Sequence, residues 1–129
     1  MSLRELVHST GGVVGIGIEE SLRAAALRMA EEDVGIVVVF DSTGMVGVLS
    51  ERDLARAAAD DVDFDLAPAK DYMTESPVFV TADGPIGEAI AKMNEYGMRH
   101  LPVVREGEVV GMISARDVLR LFGTRWPEL

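Results

Sequence analysis

Gly47-Val48-Leu49-Ser50-Glu51-Arg52-Asp53 returns 64 residues later as Gly111-Met112-Ile113-Ser114-Ala115-Arg116-Asp117. Carried backward without a gap, this offset pairs Val46 with Val110, Val39 with Val103, Glu31 with Glu95 and Met29 with Met93. It also pairs Ala25 with Ala89, Thr10 with Thr74 and, carried forward, Arg56 with Arg120. From position 10 to 58, 12 of 49 pairs are identical and most others exchange like for like, which reads as one duplicated unit.

Each unit predicts strand, helix, two strands, helix. Residues 13–18 and 78–81 are short apolar openings. Leu22, Ala25, Ala26 and Met29 fall on one helical face, as do Ile86, Ala89, Ile90 and Met93. Residues 35–40 form a β-branched run with no polar face, the pattern of a strand covered on both sides. The turn Asp41-Ser42-Thr43-Gly44 joins it to residues 45–49 as a hairpin, and residues 99–104, 105–108 and 109–113 repeat the arrangement. Helices are predicted over 52–59 and 116–122, the second stopped by Gly123.

Asp60-Asp61-Val62-Asp63-Phe64-Asp65, followed by Pro68, reads as a solvated linker, because a calcium loop would need a glycine and a distal glutamate in register. The resulting boundaries are 1–60 for the first unit, 61–69 for the acidic linker, 70–123 for the second unit and 124–129 for a tail.

The chain has 129 residues, 48% apolar, enough for a packed core without staples. It has no cysteine, which excludes disulfides, zinc–thiolate sites, iron–sulfur clusters and cysteine nucleophiles. No apolar stretch approaches a membrane span, and residues 1–7 lack the core of a signal peptide, so the expectation is a soluble, cytoplasmic protein. Twelve basic against 22 acidic side chains leave a formal charge of −10, a field that repels nucleic acid and anionic membrane. An anionic ligand would need specific cations, which singles out the arginines.

Catalytic signatures fail in turn. Gly15-Ile16-Gly17-Ile18-Glu19-Glu20 begins like a dinucleotide fingerprint but carries glutamate where the third glycine belongs. No phosphate loop and no nucleophile elbow is present, and His8 and His100 are too far apart in sequence to suggest a metal cluster. The chain is expected not to be an enzyme.

The repeated motif admits two readings. Ser50 with Asp53, and Ser114 with Asp117, have the spacing of a helix capping box, which would account for the serine and the aspartate. It leaves Arg52 and Arg116 unexplained. A helix start favours anions, an arginine adds a fork of donors suited to phosphate, and a carboxylate accepts from the vicinal hydroxyls of a ribose. Hydroxyl, cation and carboxylate together make a ribose-phosphate clamp. Arg56, on an outward helix turn, is expected to take no part in it.

The chain resembles a tandem pair of cystathionine-β-synthase-type (CBS) domains, the Bateman module, over roughly residues 6–122. The resemblance rests on the two Gly-h-h-Ser-x-Arg-Asp motifs, on Arg99-His100-Leu101-Pro102-Val103-Val104, and on Asp71-Tyr72-Met73-Thr74 leading into Ser76-Pro77-Val78. It implies an α+β fold in which two β-α-β-β-α units pack about a pseudo-twofold axis, with two clefts that bind AMP, ADP, ATP or S-adenosylmethionine. Asp53 and Asp117 then match ribose-binding aspartates, Ser50 and Ser114 the accompanying hydroxyl position, and Arg52 and Arg116 phosphate-facing side chains. Each cleft would also borrow from the other unit, so Thr10, Thr74, the loop of Val34 and Gly35, and the loop of Met98, Arg99 and His100 would flank base and phosphates.

The first unit departs from the pattern. Gly35 and Ile36 stand where Arg99 and His100 stand, Val38 replaces the proline matched by Pro102, and Gly11-Gly12 replaces Glu75-Ser76. The clefts are therefore not expected to be equivalent, which leaves room for one to stand vacant. The implied function is a non-catalytic sensor of an adenine nucleotide, with no obligatory cofactor. It would form a homodimer through apolar helix positions including Leu54, Leu119 and Phe122, and would act on a partner in trans. A dimerisation scaffold with vacant clefts and an S-adenosylmethionine sensor are the alternatives; nucleic-acid and membrane partners are not expected.

Overall fold

The computed structural model describes residue 3, residues 13–75 and residues 77–123. They form a mixed α+β chain that divides into two compact units: Val13–Pro77, and Leu3 joined to the residues from Val78 onward. Thr10 and the 124–129 tail lie outside the described residues, as does the side chain of Phe122.

In the first unit, β1 (Gly15–Gly17) runs parallel to β2 (Ile36–Asp41). Parallel neighbours need a crossover, and α1 (Leu22–Glu32) supplies it. β2 then turns through Ser42 and Thr43 into antiparallel β3 (Gly44–Ser50), which leads directly into α2 (Glu51–Ala59). The second unit repeats the order with β5 (Val80–Thr81), α3 (Ile86–Tyr96), β6 (His100–Arg105), β7 (Glu108–Ser114) and α4 (Ala115–Gly123). Even the irregularity is duplicated. The β2–β3 register slips between Val39 and Phe40, and β6–β7 slips between Val103 and Val104, leaving an extra residue on the second strand of each hairpin.

The expected strand covered on both sides is present: Ile36, Val37, Val38 and Val39 are all buried. Val37 and Val39 join Ile16, Leu22, Ala25, Met29, Leu49 and Ala57 in the first core. Leu101, Val103, Ile113, Ala89 and Val118 form its counterpart, with Leu3 added from the far end of the chain. The helical periodicities hold for α1 and less fully for α3, where Ile90 faces outward at 38% exposure. Leu54 is half-buried against its own core, whereas Leu119 stays 67% exposed.

Residues 60–75 do more than connect. Their aspartates are exposed, but Val62, Phe64, Ala67, Ala69 and Tyr72 pack against the first core. The connector also satisfies the start of α1: the N–H of Leu22 donates to the Ala67 carbonyl at 2.9 Å and that of Arg23 to the Phe64 carbonyl at 3.0 Å. Lys70 Nζ donates to Glu19 at 2.8 Å, Arg23 pairs with Asp65, and the Tyr72 hydroxyl donates to Asp60 at 2.8 Å. The phenol of Tyr72 is pushed up by that carboxylate. A fourth strand, β4 (Thr74–Glu75), which the repeat pattern did not predict, then pairs antiparallel with β3. It lies so close that a Cβ on Gly47 would stand 2.7 Å from the Thr74 carbonyl and 2.8 Å from the Met73 sulfur. The compact units thus exchange ends relative to the sequence repeat: 61–77 complete the first, and Leu3 belongs to the second.

Candidate functional site

The two repeated motifs sit at the same structural place, the junction where the last strand of each unit enters its last helix. Ser50 and Ser114 end β3 and β7 in extended conformation, so their side chains meet the free N–H groups of the helices that follow. The capping box forms in both. Asp53 N–H donates to Ser50 Oγ at 3.2 Å while Ser50 N–H donates to Asp53 Oδ2 at 2.8 Å; the matching distances for Ser114 and Asp117 are 3.1 and 2.9 Å.

The loop before β2 or β6 completes each helix start. Glu51 N–H donates to the Gly35 carbonyl at 2.9 Å, and Ala115 N–H to the Arg99 carbonyl at 2.8 Å. His100 lies opposite Ser114 in the strand register, as Ile36 lies opposite Ser50. Within a unit, therefore, the fold brings Met98, Arg99, His100, Ser114, Arg116 and Asp117 together, and likewise Val34, Gly35, Ser50, Arg52 and Asp53. Met98 and Val34 are half-buried anchors packed on their cores, while the side chains of Arg52, Arg99 and Arg116 are exposed. Thr74 is placed elsewhere: it lies on exposed β4, opposite Val48.

Of the three first-turn amides of each helix, the loop carbonyl takes one and the serine another. Among the described residues, the amides of Arg52 and Arg116 have no partner. Each helix start therefore offers one aimed N–H donor beside an exposed guanidinium, an arrangement that accepts an anion.

The carboxylates differ. Asp53 is 4% exposed and both of its oxygens are engaged: Oδ2 takes the Ser50 N–H and the Ser50 hydroxyl at 3.0 Å, and Oδ1 is paired with the Arg56 guanidinium. Arg56 keeps the outward position expected of it and, in addition, pairs with Asp53, a contact the sequence reading did not name. The available signal was its spacing, since an arginine three residues after an aspartate lies on the same helix face. Asp117 is half-buried and, among the described residues, only its Oδ2 is bonded and Arg120 makes no corresponding pair. The second unit thus presents a carboxylate oxygen able to accept from hydroxyls, near two exposed arginines; the first presents a carboxylate already closed.

No helix among the described residues is long and apolar enough to cross a membrane, and no cluster there has the composition of a metal site. A family model for the CBS domain matches the chain twice, over residues 3–60 and 69–123. The solved CBS domain NE2398 superposes with a TM-score of 0.88 at 28% identity, covering 95% of this chain and 97% of its own. The CBS domain protein PAE2072 of Pyrobaculum aerophilum, solved in complex with AMP, superposes with a TM-score of 0.84 at 31% identity, covering 96% and 99%. A 17.7 kDa protein of Acidianus ambivalens is 37% identical over 78% of this chain. The alignment spans 61% of that relative's own length, and only 18% of a CBS domain-containing protein matched in Arabidopsis thaliana.

Proposed function

Because the chain belongs to the CBS domain family, whose members are regulatory modules, and carries two copies in tandem, we propose that it binds an adenine nucleotide and reports its level to another protein. One observation carries this reading: among the described residues an Asp117 oxygen stands open beside Ser114 and the Arg116 amide has no partner, with the Arg116 and Arg99 guanidinia close by. A carboxylate accepts from both hydroxyls of a ribose, and the amide and arginines favour a phosphate. The AMP complex of the Pyrobaculum aerophilum protein supports an adenine nucleotide as the ligand class. AMP, ADP and ATP are the ligands this favours over adenosine and S-adenosylmethionine, which lack the anionic phosphate. Asp53, Ser50, Arg52, Gly35 and Val34 are the corresponding set of the first repeat. Thr74 and Thr10 are kept in the proposal as residues contributed from outside the two helix starts. The same reading includes a cytosolic homodimer using exposed Leu119, and a regulated partner in trans.

A thermal melt tests it. Nucleotide at 100 times Kd adds about 2.7 kcal/mol to stability. AMP is expected to raise Tm, and adenosine and S-adenosylmethionine to raise it less. Asp117→Asn is expected to weaken AMP binding about tenfold, the loss of one charge-assisted hydrogen bond. Equal shifts from adenosine and AMP would reject the phosphate role; unchanged affinity in a folded Asp117→Asn variant would reject the ribose role.

A further inference from the structure

Arg56 and Asp53 are the point at which the two repeats part company. The sequence motif is the same on both sides, and so is the spacing to the next arginine, Arg56 or Arg120. Yet only Arg56 closes on its aspartate among the described residues. Asp53 is the buried charged residue of the described chain, and a buried carboxylate is stable only when its oxygens are matched. Ser50 matches one oxygen; Arg56 matches the other. The second repeat carries Arg99 at the position where the first has Gly35, so the cation beside Asp53 comes from its own helix. Arg56 is 59% exposed at its side chain, so solvent or a ligand can reach the guanidinium that meets Asp53. The next segment supports it: Asp60 N–H donates to the Arg56 carbonyl at 2.9 Å, and Asp60 is itself held by Tyr72.

We infer that Arg56 is an intramolecular latch that occupies the ribose-accepting oxygen of Asp53, so that the first repeat's carboxylate is withheld from nucleotide while that of Asp117 is available. This rests on the reading that these aspartates accept ribose hydroxyls. A nucleotide reaching Asp53 must displace the guanidinium from a buried oxygen. Occupancy is therefore ordered, the Asp117 position filling first and the Asp53 position filling only when ligand concentration overcomes the latch. The sign of the effect separates this role from an ordinary one. An arginine that holds phosphate weakens binding when removed, whereas a latch strengthens it.

Calorimetric titration of AMP into the full chain tests the latch. The wild-type chain is expected to take one AMP, and Asp117→Asn to take it about tenfold more weakly. Arg56→Ala is expected to raise the stoichiometry from one to two, or to tighten a weak second phase at least about tenfold, the scale of a charge-assisted bond released to the ligand. Arg120→Ala is expected to change nothing beyond about twofold, since an exposed charge without a close partner contributes little. Two equal sites in the wild type would overturn the latch. So would Arg56→Ala leaving one site, or weakening binding, while Asp117→Asn still weakens it about tenfold; the nucleotide reading would then stand alone. Absence of AMP binding in wild type and Arg56→Ala alike would sink both. A thermal double-mutant cycle of Asp53→Asn with Arg56→Ala reads the pair without ligand, and additivity of the two variants would also overturn the proposal.

Discussion

The Ser50–Asp53 and Ser114–Asp117 helix starts share four-residue spacing, capping geometry and a following arginine, and still end in different states. In the first, Ser50 and Arg56 engage both carboxylate oxygens, and Asp53 is buried. In the second, one oxygen is unbonded among the described residues and Asp117 is half-buried. A duplicated motif thus preserves its cap, which needs only residues three apart, and is free to diverge in the groups around it. The lesson extends along the strands. Gly15 faces the Phe40 ring so closely that a Cβ there would lie 2.5 Å from it, while the same two positions of the second repeat hold Phe79 and Val104. Bulk has moved from one strand to its neighbour.

The largest test of that comparison is steric. Gly15→Val is expected to cost about 3 kcal/mol by overpacking against Phe40. Adding Phe40→Val, the residue of the second repeat, should recover much of it, giving a double-mutant coupling of about 1 kcal/mol or more in urea melts. Independent, additive losses would show that the two positions do not share one volume.

Next comes the cap itself. Asp53→Ala removes a cap acceptor and a buried ion-pair partner, and is expected to destabilise by about 2 kcal/mol; Asp117→Ala, losing the cap alone, by about 1 kcal/mol. Equal losses would erase the structural distinction between the helix starts.

A smaller effect is expected where α1 and α3 end. Asp33 takes a left-handed conformation at φ 54°, and Gly97 takes it at φ 65° in the second repeat. Glycine adopts that region without penalty, so Asp33→Gly should stabilise by about 1 kcal/mol, and Gly97→Asp should cost a similar amount. A destabilised Asp33→Gly variant would mean that the aspartate side chain contributes at this position.

The smallest concerns acid. Asp41 accepts from the Thr43 hydroxyl and N–H, which hold its carboxyl below the ordinary 3.8. A depressed folded value means a contribution present above the unfolded pKa and lost as pH falls through the folded one. Arg105 stands at this place in the second hairpin, whose turn instead relies on positive φ at Glu106 and Gly107. Asp41→Asn should therefore flatten the fall of Tm as pH drops below about 4, and Arg105→Gln should leave that slope alone.

Much of the molecule was legible from residue order. The β-branched run at 36–39, the helical face of Leu22, Ala25 and Met29, and both capping boxes depend on neighbours one to seven residues away, so periodicity and spacing report them. Ile90 broke its own pattern because half-exposed apolar positions satisfy the same periodicity as buried ones. β4 and the role of residues 60–75 were hidden for a different reason. Two residues of strand carry no periodic signal, and an acidic run looks solvated even when Val62, Phe64 and Ala69 between the acids are packed. Arg56 had a signal in its spacing to Asp53, but Arg120 has the same spacing to Asp117 and makes no such pair among the described residues.

By itself, then, the amino-acid order determined the duplication, the order of the repeated strands and helices, and the cap at each helix start. Each follows from chain-local geometry: where a strand feeds a helix, serine and aspartate three apart each accept from the other's backbone N–H. Only the tertiary structure decided which carboxylate is closed, which core Leu3 joins, and that the connector folds onto the first unit. Burial is set by segments distant in the chain, and it is burial that makes an unmatched oxygen costly and so gives Asp53, and not Asp117, a guanidinium of its own.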